Sequence, residues 1–132
     1  MSTQQEIQKE YESFLQEVLA NEEVWLLQND EGMACQSSLE YEGRMCILIW
    51  SNFVLAESER EGDFEDLESM ELPLVDFIFK WLPNMQEEQV ICALNWREDD
   101  GGMEVEPKDL MEHLKLILPD DILEKYKAEL EA

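Results

Sequence analysis

Carboxylates are the residues in this chain with the most concentrated chemical potential. Glu57, Glu59, Glu61, Asp63, Glu65, Asp66, Glu68 and Glu71 put eight acids into fifteen residues, opposed only by Arg60. Phe64, Leu67, Met70 and Leu72 interleave with them. Paired carboxylates perform general acid–base work when one holds a proton beside an ionised neighbour. With 33 acids in the chain, pairs arise by chance, so pairing alone points to no reaction. Two readings of the run stand side by side. A charge run is ordinarily a solvated face that keeps a protein soluble. The same run, with aromatic and Met side chains among its charges, also suits docking onto a basic partner, with Phe64 and Met70 as anchors and the charge as steering. The residues assigned to that contact are Glu57, Glu59, Glu61, Asp63, Phe64, Glu65, Asp66 and Glu68.

Other chemistries find less to work with. Nucleophilic catalysis needs a Ser, Cys or Thr beside a base. The lone histidine, His113, follows Glu112 and sits one position before an apolar residue. A surface or boundary histidine is the plain reading; a base for Cys35, Cys46 or Cys92 is the functional one. Cys46 and Cys92 lie in apolar runs and read as small buried hydrophobes. The cysteines stand eleven and forty-six residues apart, without the close pairs of a zinc site. Asp99-Asp100-Gly101-Gly102, with Glu104 and Glu106, offers hard oxygen ligands for calcium but lacks the periodicity of an EF-hand loop. Asp-Gly is the usual signal of a hairpin turn with solvated acids. Gly101-Gly102 leads into a strand rather than a helix, unlike a phosphate cradle. These readings imply no cofactor, no metal and no catalytic residue.

The whole composition limits the partners. Nine Lys and Arg against 33 acids leave a net charge of −24. Nucleic acid and anionic membranes are repelled by such a field, and basic protein surfaces are attracted. Self-repulsion favours a monomer when free. An odd number of cysteines argues against a disulfide framework and suits a reducing cytoplasm. Met1–Glu6 has neither the basic start nor the apolar run of a signal peptide. No stretch approaches the roughly 20 apolar residues of a membrane span.

The elements that must position these groups follow from periodicity. The spacing of Ile7, Tyr11, Phe14, Leu15, Val18 and Leu19 predicts a helix over residues 3–21, capped by Ser2 or Thr3 with Glu6 completing a capping box. Val24–Leu27 reads as a strand, turning through Asn29–Gly32 into a partner over Met33–Ser38. Met45–Trp50 reads as a central strand buried on both faces. Ser51 is expected to cap a short helix to about Arg60 with Phe53, Val54 and Ala56 inward, followed by an acidic connector, Glu61–Glu71. Pro73 is expected to open a helix that Pro83 ends. Val90–Trp96 and Met103–Glu106 form a hairpin, Pro107 opens a helix through Leu110, Met111, Leu114 and Ile117, and a polar helix follows Pro119. The order predicts one α+β domain over residues 1–132: a single antiparallel sheet of about four to five strands with helices on one face, and helices at both termini.

Several landmarks recur in this order: Phe14-Leu15-x-x-Val18, Val24-Trp25-x-Leu27, Asp30-x-Gly32, the strand ending at Trp50, Trp81-Leu82-Pro83, and Pro107-x-x-Leu110. Over residues 11–118 the chain resembles the small bacterial family known as domain of unknown function 2750. It departs from that pattern with Met33-Ala34-Cys35 in place of an aromatic after the hairpin glycine, and Ser51-Asn52 in place of a proline after Trp50. The resemblance implies an α+β fold in a bacterial cytoplasm and assigns no activity.

Together these observations lead to the expectation of a non-enzymatic, acidic protein-binding module. Its fitting role is that of an inhibitor or immunity-type protein masking a basic surface of a toxin, nuclease or other nucleic-acid-binding protein, with nucleic-acid mimicry as a variant. The alternative is a cytoplasmic domain whose acidity reflects solubility or a saline cell. An enzyme using carboxylates and a divalent ion is a third class, with the least in the sequence to support it.

Overall fold

The computed structural model describes residues 4–99 and 101–131. The expected cap of the first helix falls on Ser2, Thr3 and the Glu6 side chain, outside this description, as does Asp100 of the acidic turn. Helix α1 (Gln4–Asn21) leads into β1 (Glu23–Asn29), then β2 (Gly32–Met33), β3 (Cys35–Ser37), β4 (Met45–Ile49) and α2 (Phe53–Ser58). A 3₁₀ turn (Gly62–Phe64) precedes β5 (Glu68–Pro73), which runs directly into α3 (Leu74–Asp76), a π-helical segment (Phe77–Trp81) and α4 (Leu82–Glu87). The chain closes with β6 (Ile91–Arg97), β7 (Gly101–Val105), α5 (Pro107–Ile117) and α6 (Asp120–Glu131).

The class is α+β as the element order implies, but the strands form two sheets rather than one. β2-β1-β5 is antiparallel, whereas β3-β4-β6-β7 contains a parallel pair, β4 with β6. Parallel pairing needs a long crossover, and α2, β5, α3 and α4 all lie between those two strands. The sheets meet at Ala34. Its N–H donates to the Leu27 carbonyl (2.8 Å) and its carbonyl accepts from the Leu48 N–H (3.2 Å). From that point β1 and β4 diverge from the β2–β3 strand and pair with each other at Trp25 and Trp50. Ala34 is buried in this fork.

Alternation along the strands divides the core. Val24, Leu26, Ile49, Cys92 and Leu94 face the helices, packing with Phe14, Leu15 and Val18 of α1, Phe77 and Ile78 of the π segment, Leu110 and Leu114 of α5 and Tyr126 of α6. Leu27, Cys46, Leu48, Trp50, Ile91 and Ala93 face the other way and are covered by Ala56, Phe64 and Leu67. Strands buried on both faces read as unbroken apolar runs, which is why β4 and β6 stand out in the sequence. Hydrophobic cover therefore lies on both faces of the sheets, with the larger set of helices on one.

Local chemistry explains three boundary differences. Asn52, not Ser51, caps α2: its Oδ1 accepts from the Leu55 N–H at 2.9 Å. The helix consequently turns Ala56 inward and leaves Phe53 and Val54 exposed. Pro83 does not end its helix. The preceding turn widens, with the Leu82 N–H donating to the Phe77 carbonyl five residues back, and this relieves the clash that a proline ring makes with an ordinary helical turn. Finally, the second half of the supposed connector is β5, whose Leu72 and Met70 pack toward the helices while it pairs with β1.

Candidate binding cleft at the acidic connector

Arg60 organises the connector from within. Its Nη1 lies 2.8 and 3.2 Å from the two Glu57 carboxylate oxygens, and its Nε donates to the Leu67 carbonyl at 2.6 Å. Residues 60–67 thus close into a compact loop. Gly62 takes a φ of +55° there, where a side chain would be strained. Within the loop the Phe64 N–H donates to Glu61 (3.0 Å) and the Leu67 N–H to Phe64 (3.1 Å). The result drives Phe64 and Leu67 into the second core and leaves the intervening acids outside.

Phe64 is therefore a core residue, 8% exposed, and not the protruding anchor its position among acids suggested. Burying a side chain of this size is worth about 1.5–3 kcal/mol, which holds the charged loop against the sheet. Its ring meets Trp96 edge to face, centroids 5.4 Å apart at 68°. Met70, the other expected anchor, is half-buried against the helix-side core.

Trp96 reaches that position through a bulge. Ile91 and Ala93 point to the connector face, so strict alternation would put residue 95 there and turn residue 96 away. The register with β7 shifts between Leu94 and Arg97, and Asn95 adopts a φ of +50°. That left-handed residue resets the phase and places Trp96 beside Phe64. Asn tolerates this conformation better than most residues. Its Oδ1 also accepts from the Ser51 N–H (2.9 Å), while the Trp96 carbonyl accepts from Trp50 Nε1 (2.9 Å). Gly102 of β7 lies close opposite: a Cβ there would sit 3.2 Å from the Leu94 carbonyl oxygen and Trp96 Cα, so the neighbours would have to give by a few tenths of an ångström.

Over the two rings opens a cleft of 240 Å³ lined by Gln36, Glu59, Glu61, Asp63, Phe64, Trp96 and Glu98. Four acidic residues thus share the lining with two aromatic ones. The Glu59 carboxyl is held above the usual carboxylate range by burial, then by the charges of Asp99, Glu61 and Glu98, against the lowering effect of a hydrogen bond from the Glu98 backbone. Like charges crowded together in one recess favour a cation. The volume is below the roughly 300–1,000 Å³ of small-molecule and cofactor pockets.

The structure brings together only part of the expected site. Glu59, Glu61, Asp63 and Phe64 line the cleft. Glu57 is neutralised by Arg60. Glu65, Asp66 and Glu68 are exposed beside it but are not part of its lining. Gln36, Trp96 and Glu98 were missed because they come from β3, from the bulge and from the turn after β6.

The remaining candidates are engaged elsewhere. Glu104 holds the loop after β3, accepting from Ser38 Oγ and from the N–H groups of Leu39 (2.8 Å) and Glu40 (3.4 Å). Burial alone would raise its carboxyl; the hydrogen bonds outweigh it and keep the group below the usual range. Glu106 pairs with Arg44 at 2.8 Å. Among the described residues no group of three or more His, Cys, Asp or Glu is placed to hold a metal. His113 Nδ1 lies 2.6 Å from the Tyr11 hydroxyl. Burial pushes the Cys46 thiol up to about 11, and the Cys92 thiol higher still, so neither forms a thiolate readily. Among the described residues no helix is long and apolar enough to cross a membrane.

The fold and cleft define a small two-sheet α+β domain with a carboxylate-rimmed aromatic recess. The chain belongs to the family described as "Protein of unknown function (DUF2750)", whose pattern matches residues 11–114 and so spans every residue of the cleft. No curated protein matches the chain.

Proposed function

We propose that this chain is an acidic protein-binding module that receives an arginine or lysine side chain of a basic partner in the Phe64–Trp96 cleft. The fitting role is an inhibitor or immunity-type protein of the cytoplasm, covering a surface on a toxin or nuclease that otherwise meets nucleic acid. The observation that carries this reading is the cleft itself: four carboxylates over two edge-to-face rings in a 240 Å³ recess. Arginine is a frequent hot spot at interfaces, since its flat cation stacks on rings and bonds carboxylates in two directions. The net charge of −24 supplies long-range steering toward such a surface.

The test is parallel affinity capture from cells that carry the chain natively, at low salt, with the wild type and with an E61K/D63K variant. A single stoichiometric basic protein, retained by the wild type, lost by the variant and released by salt, supports the proposal. The same scatter of basic proteins on both columns would assign the acidity to solubility or a saline cell. Displacement of the captured protein by duplex DNA is the expected result if the carboxylates imitate phosphates.

A further inference from the structure

The outer edge of β5 offers main-chain groups that β1 does not use. Trp25 directs its N–H and carbonyl to Trp50, and the Leu27 carbonyl accepts from Ala34. In an antiparallel pair, opposed residues alternate between bonding each other and facing away. Trp25 opposes Glu71 and Leu27 opposes Ser69, so these are the pairs that face away. The N–H and carbonyl groups of Ser69 and Glu71 consequently point out of the sheet, on the side where β5 ends it.

The side chains along this edge ask for a cation. Glu23, Trp25 and Leu27 share one face with Pro73, Glu71 and Ser69. Glu23 and Glu71 stand one register step apart on that face, and burial followed by the Glu71 charge lifts Glu23 above the usual range. Ser69 Oγ is buried there with no hydrogen-bond partner among the described residues. Beside them Phe53, half-exposed, meets the Trp25 ring edge to face at 5.1 Å, and Val54 is open to solvent.

We propose that β5 accepts an extended basic segment of the partner protein as an added strand, bonded to the main chain of Ser69 and Glu71 with a Lys or Arg set against Glu23 and Glu71. This rests on the reading of the chain as a module for a basic partner, and it adds the form in which that partner binds. Strand addition takes affinity from main-chain bonds and specificity from alternate side chains. Charge selects the occupant. A second copy would bring its own Glu71 against the same acids, and β5 has no basic residue to answer them. Acids on an edge normally deter pairing with like chains; here they leave the edge open to a basic one. Pro73 lacks an N–H and the Leu67 carbonyl is taken by Arg60, so the pairing is bounded at both ends.

The test is amide hydrogen exchange by NMR on the whole chain, titrated with a peptide of alternating lysine and valine, about six residues long. Two further versions are N-methylated on all lysine or on all valine nitrogens. The expected result is protection of the Ser69 and Glu71 amides, with one methylated version binding about tenfold more weakly and the other unaffected. Equal binding of all three, with changes only at the Glu61 and Asp63 amides, overturns the strand addition and leaves the cleft reading standing. Binding of none removes both. Protection that rises with protein concentration in the absence of peptide gives the edge to a second copy and overturns the proposal.

Discussion

The main chains of Trp25 and Trp50 exchange two hydrogen bonds, 2.8 Å from the Trp25 N–H to the Trp50 carbonyl and 2.9 Å in return. This pair closes the fork that opens at Ala34 and ties the antiparallel sheet to the mixed one. The Trp50 indole then reaches the Trp96 carbonyl at 2.9 Å. The junction of the sheets and the floor of the cleft are thus one bonded unit.

Trp50→Phe keeps most of the buried volume and removes that indole donor. A half-buried carbonyl left without its partner costs about 1–3 kcal/mol. The urea midpoint of Trp50→Phe should fall accordingly, and the Trp96 side-chain resonances should shift. An unchanged Trp96 environment would show that the cleft is set independently of the junction.

Phe64→Ala should destabilise the fold by about 3–5 kcal/mol, as expected for deletion of a buried ring. Val54→Ser, at an exposed position on α2, should cost less than about 1 kcal/mol. Equilibrium denaturation separates the two. A neutral Phe64→Ala would mean that the connector does not pack on the sheet.

Asn95→Val should be costly. A β-branched residue is strained at a φ of +50°, and it also loses the acceptor for the buried Ser51 N–H; together these cost about 2–6 kcal/mol. Asn95→Gly, which suits the backbone, should lose only the acceptor for that N–H, about 1–3 kcal/mol. Equal losses in the two variants would remove backbone conformation as the reason for asparagine at this position.

Stability should depend on pH in two windows of opposite sign. Glu23 and Glu59 hold protons more tightly folded than unfolded, through burial and neighbouring acids. Their contribution is present below the unfolded carboxylate value and is lost as pH rises through their raised folded values. Glu104 is the reverse: its hydrogen bonds stabilise above the unfolded value, and this is lost as pH falls through its lowered one. The melting temperature should therefore rise on mild acidification from neutrality and fall again in stronger acid. The Glu59→Gln variant should show a smaller rise on mild acidification; an identical profile would exclude Glu59 as a contributor.

Element types were largely legible from periodicity, because α1, β4, β6 and α5 each carry an apolar pattern that their own packing explains. The fork was not legible. Nothing local to Ala34 announces that two strands will leave it, and the parallel pairing of β4 with β6 depends on what covers the long crossover. β5 was hidden by its charge: Glu68 and Glu71 sit on an edge strand, where acids are tolerated. The acids of the cleft were visible, but its floor was not. Trp96 joins Phe64 only because a single left-handed residue shifts the phase of β6, and alternation by itself points the other way.

In the proposed reading, particular acids beside Phe64 and Trp96, rather than net charge at large, receive a basic side chain. Titration calorimetry of a tetra-arginine peptide against three proteins tests it: wild type, E61Q/D63Q and E65Q/D66Q. The two double variants remove the same charge from the same loop, but only Glu61 and Asp63 line the cleft. The expected result is a loss of about tenfold or more, roughly 1.4 kcal/mol, for E61Q/D63Q and a change within about twofold for E65Q/D66Q. Equal losses in both would show a diffuse field with no site, and would contradict it.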